Sequence, residues 1–168
     1  MPMPRSPLLH GLPPIGSPTA RVLILGNMPS ALSLAGGQYY GNPRNAFWRI
    51  IADLFGGTPD APYDQRIAVL NRHGIAVWDV LKHCRRVGSL DSAIEPDSMV
   101  ANDFGAFFAA QRHVEEVYFN GAAAEANFTR LNLDLPVRGH RLPSTSPAHT
   151  MAYADKLAAW RVVASGVR

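Results

Sequence analysis

A short apolar run is the feature of this sequence that most limits its fold. Residues 21–26, RVLILG, contain four consecutive aliphatic side chains and end on a glycine. A run of this kind, without polar alternation, is typical of a central strand that is buried on both faces. Three later runs, at 74–81, 114–121 and 137–142, also predict strands. Because long segments separate them, we expect crossover connections and not hairpins.

Segments with helical spacing lie between and after these runs. NAFWRIIADLFG at 45–56 repeats its apolar residues at the interval of a helix turn and ends on glycine. Helices are also predicted at 62–73, at 122–131 and from Tyr153 to Val163, the last with Leu157, Trp160 and Arg161 on its face. The alternation predicts an α/β fold, a three-layer sandwich with a short, mostly parallel central sheet flanked by helices. Ligands are expected at the carboxyl ends of its strands.

The length of the chain suits a single domain. With 168 residues and 47% hydrophobic content, it can bury one core. We expect this domain at 21–168, preceded at 1–20 by a Pro-rich tether lying on the surface. The prolines interrupt the apolar content of this lead, so it predicts neither a signal peptide nor a membrane span. No membrane partner is therefore expected.

The charged residues and the lone cysteine narrow the class of protein. Lys and Arg number 16 against 13 Asp and Glu, a net charge of +3, which is compatible with a polyanionic partner but common among proteins that have none. Lys82 and Lys156 are the only lysines, and arginine is the better ligand for phosphate oxygens. Because Cys84 stands alone, an internal disulfide and a four-thiolate cluster are excluded, and a reducing cytoplasm is the expected location.

The segment 26–48, GNMPSALSLAGGQYYGNPRNAFW, is called here the first motif. Its part from 27 to 44 has neither helical nor strand periodicity, which predicts a long loop of the kind that often carries function. A base held there could stack on Tyr39 or Tyr40, although either ring could instead fill the core. Arg44 and Asn45 stand where the loop becomes a helix. The Asn45 amide could orient a water or bind a base edge, or it could only cap the helix.

The segment 142–149, LPSTSPAH, is called here the second motif. Its hydroxyls could bond phosphate oxygens and His149 could reach a phosphate or a base, but a capped turn has the same composition. Two strand ends carry polar candidates with equally open interpretations. Asp79 could be a general base or a loop-capping carboxylate, and Asn120 could hold a base or mark a turn. The segment 89–92 could lie beside a pocket or be only a loop.

Taken together, GNMPS, QYYGNPRNAFW and LPSTSPAH resemble the uracil-DNA glycosylase superfamily, close to its hypoxanthine-DNA (deoxyinosine) glycosylase branch. The resemblance runs from about Arg21 to the last helix. It implies a first motif that forms the pocket for water and base, and a second motif that enters the duplex. It also implies a monofunctional hydrolase that flips a deaminated base, hypoxanthine first, out of double-stranded DNA and leaves an abasic site. No cofactor and no metal are expected, and the enzyme is expected to be a monomer.

The residue before the proline of the first motif separates the branches of this superfamily. The mismatch-specific relatives, which Pro43–Trp48 also resembles, have a catalytic asparagine there, and the uracil-specific enzymes have an aspartate; this chain has Met28. Methionine cannot orient water. The resemblance to the deoxyinosine branch therefore implies Asn45 as the catalytic amide, with Asn27 as the alternative.

The remaining site residues divide into two groups. The base-binding group predicted on this resemblance comprises Gly26, Met28, Pro29, Ser30, Tyr39, Tyr40, Phe47 and Asn120. The DNA-binding group comprises Arg44, Ser144, Thr145, Ser146, Pro147 and His149. Neither motif has a lysine beside it in the sequence, which favours simple hydrolysis over lyase chemistry through an amine.

Three other functions compete with this one. A mismatch-specific uracil or thymine glycosylase would differ only in the base accepted, and Met28 weighs against it. A non-catalytic DNA-binding module of the same fold would leave Asn45 turned away from the pocket. An α/β nucleotide-binding enzyme would need a phosphate-binding glycine pattern, which the sequence lacks.

Overall fold

A four-stranded parallel sheet forms the centre of the protein in the computed structural model, which describes residues 6–167. The strands of the described chain are β1 (Leu8–His10), β2 (Val22–Gly26), β3 (Ile75–Asp79), β4 (Leu81–Arg85), β5 (Val100–Ala101), β6 (Glu116–Asn120) and β7 (Arg138–Leu142). The central sheet has the order β3-β2-β6-β7, and each neighbouring pair in it is parallel. All residues of β2 and β3 are buried, which confirms the prediction drawn from their apolar runs.

Helices cover both faces of this sheet. They are α1 (Ala31–Gly36), α2 (Phe47–Phe55), α3 (Tyr63–Arg72), α4 (Phe104–Ala110), α5 (Ala122–Arg130) and α6 (Tyr153–Gly166). Consecutive residues of β6 contact opposite layers, because Tyr118 donates a hydrogen bond to Val162 of α6 whereas Phe119 lies against Phe128 of α5. The predicted three-layer α/β sandwich is therefore confirmed.

A second, antiparallel sheet was not predicted. It has the order β1-β4-β5. The run at 74–81 was predicted as one strand, but the chain leaves the central sheet after Asp79, and Leu81 begins β4. The Val80 and Leu81 amides donate to the carbonyls of Gly26 and Asn27. The first motif thus holds the chain at the point where it changes sheets.

The Pro-rich lead is part of the fold over the residues that the structure describes. Leu8–His10 pairs with β4, Ile15 forms a bridge with Val77, and Ile15 and Ala20 are buried. Residues 6–20 thus pair with and pack against the domain, whereas the sequence predicted a tether lying on its surface. Residues 1–5 of the expected tether lie outside the described range.

Three helices differ from the prediction, and one of them, α4, was not predicted at all. The loop predicted at 27–44 contains α1, which Ser30 caps by accepting the Ser33 amide, and which ends at Gly37 in the left-handed conformation. In α6 the buried face is formed by Lys156, Trp160 and Val163, whereas Leu157 is half-buried and Arg161 exposed. None of the helices in the described part of the chain is both long and apolar enough to cross a membrane.

Candidate active site

A cavity of about 230 Å³ opens at the carboxyl ends of the central strands. Parallel pairing brings these ends together, since Gly26 of β2 is in register with Asp79 of β3, and Asn120 of β6 with Leu142 of β7. Of the predicted site residues, the cavity is lined by Gly26, Asn27, Met28, Pro29, Ser30, Tyr39, Tyr40, Asn45, Asn120, Ser144, Thr145, Ser146 and Pro147. The two motifs, about a hundred residues apart in the sequence, therefore form one site.

Tyr40 presents an aromatic ring to this cavity. Its ring is stacked on Phe47 with 4.0 Å between centroids, and its φ of 53° lies in the left-handed region that non-glycine residues rarely adopt. Burial, reinforced by the nearby Asp79, raises the pKa of Tyr40 far above its ordinary value, so the hydroxyl stays protonated. Phe47 itself is fully buried and does not line the cavity. It supports the Tyr40 ring and does not make the direct base contact that was predicted for it.

Tyr39 is held more firmly in the core than Tyr40. Its hydroxyl donates to the carbonyl oxygens of Leu12 and Pro13, and its backbone carbonyl accepts from the indole N–H of Trp48. Its amide donates to the Tyr63 hydroxyl. Tyr39 touches the cavity wall, but its polar atoms join the first motif to the amino-terminal lead. Of the two tyrosines, Tyr40 is the less buried.

Asn45 combines the two roles that the sequence left open. Its Oδ1 accepts the Phe47 amide at 2.9 Å. Ala46 occupies the N-cap position and forms no side-chain bond, so the Asn45 contact serves as the cap of α2. The residue is half-buried and lines the cavity. Because a carbonyl oxygen has two lone pairs, the cap leaves one of them for another donor. No hydrogen bond among the described residues uses its Nδ2.

Asn27 is held by two partners that sequence reasoning missed. Its Nδ2 donates to Asp91 at 3.0 Å, and its Oδ1 accepts from Asn127 of α5 at 2.9 Å. The residue is 6% exposed. Asp91 lies in the predicted segment 89–92, which does line the cavity, whereas nothing in the sequence pattern indicates Asn127. Both polar atoms of the Asn27 side chain are thus already in use.

Asn120 joins the two motifs. Its Oδ1 accepts the Thr145 amide at 2.9 Å, and its Nδ2 donates to the Thr145 Oγ1 and to the Tyr40 hydroxyl, at 3.0 and 3.1 Å. The Thr145 hydroxyl is buried by this arrangement, so it holds the loop in place and does not face outward to a phosphate as was predicted. The Ser144 and Ser146 hydroxyls accept the amides of Ser146 and Ala148. Both retain a proton that can be donated.

A larger groove of about 860 Å³ adjoins the cavity. Arg44 and His149 line it and are exposed, so these two of the six predicted DNA-binding residues lie beside the cavity and not inside it. Arg49, which the sequence analysis missed, also lines this groove and lies 3.6 Å from the Tyr153 ring centroid. A further cation of the groove, Arg66, lies over the Trp48 ring. The groove is therefore basic and partly aromatic.

Lys156 corrects the expectation that no lysine lies near either motif. Its Nζ donates to the Ser146 carbonyl at 3.1 Å, from ten residues further along the chain. Burial lowers its pKa. The ammonium group lines the groove and not the cavity, so it lies behind the second motif and away from the space that a base would occupy.

Two further charged residues stand beneath the first motif. The Asp79 side chain lines the cavity floor, is 4% exposed, and has an Oδ2 without a hydrogen-bond partner in the described structure. Burial, with a smaller contribution from Asp91 and against the opposing effect of Arg86, raises the pKa of Asp79 to about 7. Arg86 is itself buried and donates to the Pro29 carbonyl at 2.6 Å. The position of Asp79 at the end of a buried strand was the available signal for it.

Comparison with known proteins agrees with this geometry. The model of the uracil DNA glycosylase superfamily matches residues 13–164. A Methanosarcina acetivorans protein named hypoxanthine DNA glycosylase is 32% identical over 155 residues, which cover 92% of this chain and 96% of that protein. One of the same name from Methanosarcina barkeri is 34% identical over 113 residues, covering 67% and 70%.

A solved structure gives the same result at the level of the fold. The solution NMR structure of a candidate uracil DNA glycosylase from Methanosarcina acetivorans superposes with a TM-score of 0.77 at 30% identity. The alignment covers 95% of this chain and 98% of that one. The resemblance that the two motifs carried is confirmed by these matches. The chain belongs to the uracil-DNA glycosylase superfamily.

Proposed function

We propose that this protein is a DNA glycosylase that extrudes hypoxanthine from double-stranded DNA and hydrolyses its N-glycosidic bond, leaving an abasic site. The observation that carries the proposal is the single cavity that the two motifs build at the carboxyl ends of the strands. Its 230 Å³ lies below the usual range of pockets for drug-sized ligands, about 300–1,000 Å³, and suits one nucleobase. The relatives named hypoxanthine DNA glycosylase support the choice of base.

Extrusion of the base is compensated in part by Tyr40. Removing a base from the stack costs a few kcal/mol, least for a mispaired base. Stacking on an aromatic ring returns about 1–3 kcal/mol per base, and the Tyr40 ring is already fixed in place against Phe47. A mispaired hypoxanthine would therefore enter the cavity more readily than a paired normal base.

Asn45 is the proposed catalytic amide. The reaction separates charge, with positive charge on the sugar and negative charge on the departing base, and it requires an oriented water. The second lone pair of the Asn45 Oδ1 can hold such a water while the first keeps the cap on α2. Asn27 is the weaker candidate, because orienting water would require it to release Asn127 or Asp91.

Double-stranded DNA is proposed to lie across the second motif and the adjoining groove. Arg44 and His149 flank the cavity on the groove side, and guanidinium groups are suited to phosphate oxygens. Action as a monomer is proposed with it. The absence of Lys156 from the cavity lining supports a monofunctional hydrolase. The cytoplasmic location expected from the single cysteine stays a prediction.

The test is a cleavage assay on short duplexes that each carry one hypoxanthine, one uracil mismatch or one thymine mismatch. After incubation, alkali breaks the strand at any abasic site. Wild-type protein is expected to give breakage at hypoxanthine, and Asn45→Ala to lose it. Breakage chiefly at uracil would instead show that the protein is a mismatch-specific uracil glycosylase. If Asn45→Ala kept full activity, Asn27 would become the candidate for the catalytic amide.

A matched control separates catalysis from helix capping. Asp103 caps α4 by accepting the Ala106 amide and does not line the cavity. Asp103→Ala therefore removes a comparable cap, worth about 1 kcal/mol, and should leave excision intact. DNA binding without breakage on every duplex would support a non-catalytic module.

A further inference from the structure

The Asp79 carboxyl stands at the floor of the cavity in an unusual setting. It ends β3 directly opposite Gly26, and a β-carbon at position 26 would collide with its Oδ1 and lie 3.1 Å from the Tyr40 hydroxyl. Glycine at position 26 thus leaves room for the carboxyl in the place where the structure has it. Its Oδ2 is buried and has no partner in the described structure, although a buried carboxylate oxygen normally finds a donor.

The surroundings of Asp79 exclude the loop-capping role that the sequence left open. Among residues 6–167, no backbone amide donates to its side chain; only its backbone carbonyl accepts, from Asn102. The charged or titratable groups that face it are Asp91 from the turn at 91–93, Arg86 beyond β4, and Tyr39 and Tyr40 of the first motif. Arg86 donates to the Pro29 carbonyl and forms no ion pair with Asp79.

A carboxyl in this position is suited to hold a proton. Ionisation would place a second negative charge near Asp91 in a buried site where, in the described structure, no hydrogen bond to the carboxylate forms. Burial disfavours the charged form and outweighs the opposing charge of Arg86. Burial accordingly raises the pKa of Asp79 to about 7. The group is therefore substantially protonated near neutral pH and directed at the space that an extruded base would fill.

The departing base needs what this group can supply. When the bond between C1′ and the base nitrogen breaks, its electron pair goes to the base, which is a poor leaving group as a full anion. A proton delivered to a ring nitrogen or carbonyl oxygen of the base removes that charge. We propose that Asp79 is a further catalytic residue, the general acid that protonates the departing base, an inference that rests on the function proposed above.

The step is balanced by water. The Asp79 proton moves to the base as the C1′–N bond breaks, and the sugar becomes an oxocarbenium ion. The water held by Asn45 adds its oxygen to C1′ and releases a proton, which restores the neutral carboxyl directly or through solvent. The products are the neutral free base and an abasic sugar with a hydroxyl at C1′. Between the two transfers, the new carboxylate lies near Arg86, whose charge favours it.

The test compares wild type with Asp79→Asn on the hypoxanthine duplex under single-turnover conditions across a range of pH. Asparagine keeps the size of the side chain but carries no transferable proton. The wild-type rate should fall as pH rises above about 7, towards tenfold per pH unit. Asp79→Asn should lose about 10²–10⁴-fold in rate, the usual contribution of general acid–base catalysis, and should lose that pH dependence. Asp97→Asn, at an exposed carboxyl outside the cavity, should match wild type.

Several outcomes would overturn the proposal. If Asp79→Asn cleaves at the wild-type rate, Asp79 is not the general acid. If the wild-type rate rises with pH through 7, the group acts as a base and not as an acid. The second readout needs no variant, so it holds even if Asp79→Asn does not fold. If Asp79→Asn is slow but binds the duplex as tightly as wild type, its loss of rate is catalytic and does not come from a disturbed structure. A wild-type protein that releases no hypoxanthine would refute the proposed function itself. This result differs from the two outcomes that refute only the role of Asp79.

Discussion

At the scale of single residues, the site depends on side chains that are fixed by one another. Asn120 bonds Thr145 twice and Tyr40 once, and Phe47 supports the Tyr40 ring from behind. Because these partners come from β6, the second motif and the first motif, hydrogen bonds join the cavity wall together before any substrate enters. Pre-organisation of this kind lowers the entropy lost on binding.

Replacing Tyr40 tests the stacking surface. Tyr40→Ala removes the ring and should weaken the specific binding of a lesion duplex by about 1–3 kcal/mol, or roughly tenfold to a hundredfold in Kd. Tyr40→Phe is the matched control, since it keeps the ring and removes only the hydroxyl that accepts from Asn120. Fluorescence anisotropy with a hypoxanthine duplex measures both. Equal affinities for the two variants would show that the base does not stack there.

Asp79 should make stability depend on pH in a defined direction. Its pKa is raised from 3.8 to about 7 in the folded protein, so over this window the unfolded chain releases the proton while the folded protein keeps it. Stability from this group is therefore fully present below about pH 4 and is lost as pH rises towards 7. Asp79→Asn should gain stability relative to wild type across that window, on the order of a few kcal/mol.

Urea unfolding at a series of pH values measures this difference. The gain should level off above the folded-state pKa, and the exposed Asp97→Asn should show no comparable trend. A difference between wild type and Asp79→Asn that stays constant from pH 4 to 8 would contradict the assignment of a protonated, buried carboxyl.

At the scale of elements, α6 determines the position of the second motif. Lys156 donates to the Ser146 carbonyl, and Trp160 donates to the Pro143 carbonyl at 2.9 Å. The Ala46 amide adds a bond from the first motif to the Thr145 carbonyl. The loop that is proposed to meet DNA is thus held from its rear by a helix and from its side by the loop opposite.

Lys156→Met tests this attachment. Methionine keeps much of the buried chain but leaves the Ser146 carbonyl without its charged donor, a bond of about 1.5–3 kcal/mol. We expect weaker duplex binding, by roughly tenfold, together with a lower excision rate. Lys82→Met is the matched control, because Lys82 is exposed on β4 and is the only other lysine. Wild-type binding by Lys156→Met would show that the loop is positioned without this bond.

At the scale of the whole molecule, the groove beside the cavity places the positive charge of the DNA-facing surface on one side. Its cations, Arg44, Arg49, Arg66 and Lys156, all lie on one side of the second motif. Each phosphate contact that is lost should lower the salt slope of DNA binding by about one. We therefore expect Arg49→Gln and Arg66→Gln to weaken binding to lesion and undamaged duplexes alike and to flatten the salt dependence.

The control for these variants lies at the opposite end of the sheet. Arg112 is exposed just before β6, so Arg112→Gln removes the same charge far from the cavity and should leave the salt slope unchanged. If Arg49→Gln and Arg112→Gln changed binding equally, the groove would act only through net charge and would not contact the strand.

The sequence predicted the elements of this molecule better than the contacts between them. Apolar runs identify buried strands directly, so β2, β3 and β6 were expected. A strand was also expected at 137–142, although β7 is mostly polar and exposed. By contrast, α1 is too short to show a helical period, and β1 follows prolines that suggested a tether. Lys156 and Asn127 reach the site from distant helices, and no spacing in the sequence indicates such contacts.

Asp79 shows the same limit in one residue. Its position at a strand end was visible in the sequence, but its chemistry depends on burial, on an unpaired oxygen and on the glycine opposite it in register. Those properties arise only when strands pair. For Phe47 the opposite happened. Its motif predicted a contact with the base, but the packing of α2 places the ring behind Tyr40.

The most direct test of the central claim is to identify what the purified protein releases from a hypoxanthine duplex. Mass spectrometry of the reaction before alkali treatment distinguishes the free base from modified nucleotides. Hydrolysis by this site predicts free hypoxanthine and a full-length strand with one abasic sugar, both lost in Asn45→Ala. Release of a nucleotide, strand breakage without alkali, or no free base from any lesion duplex would contradict the account.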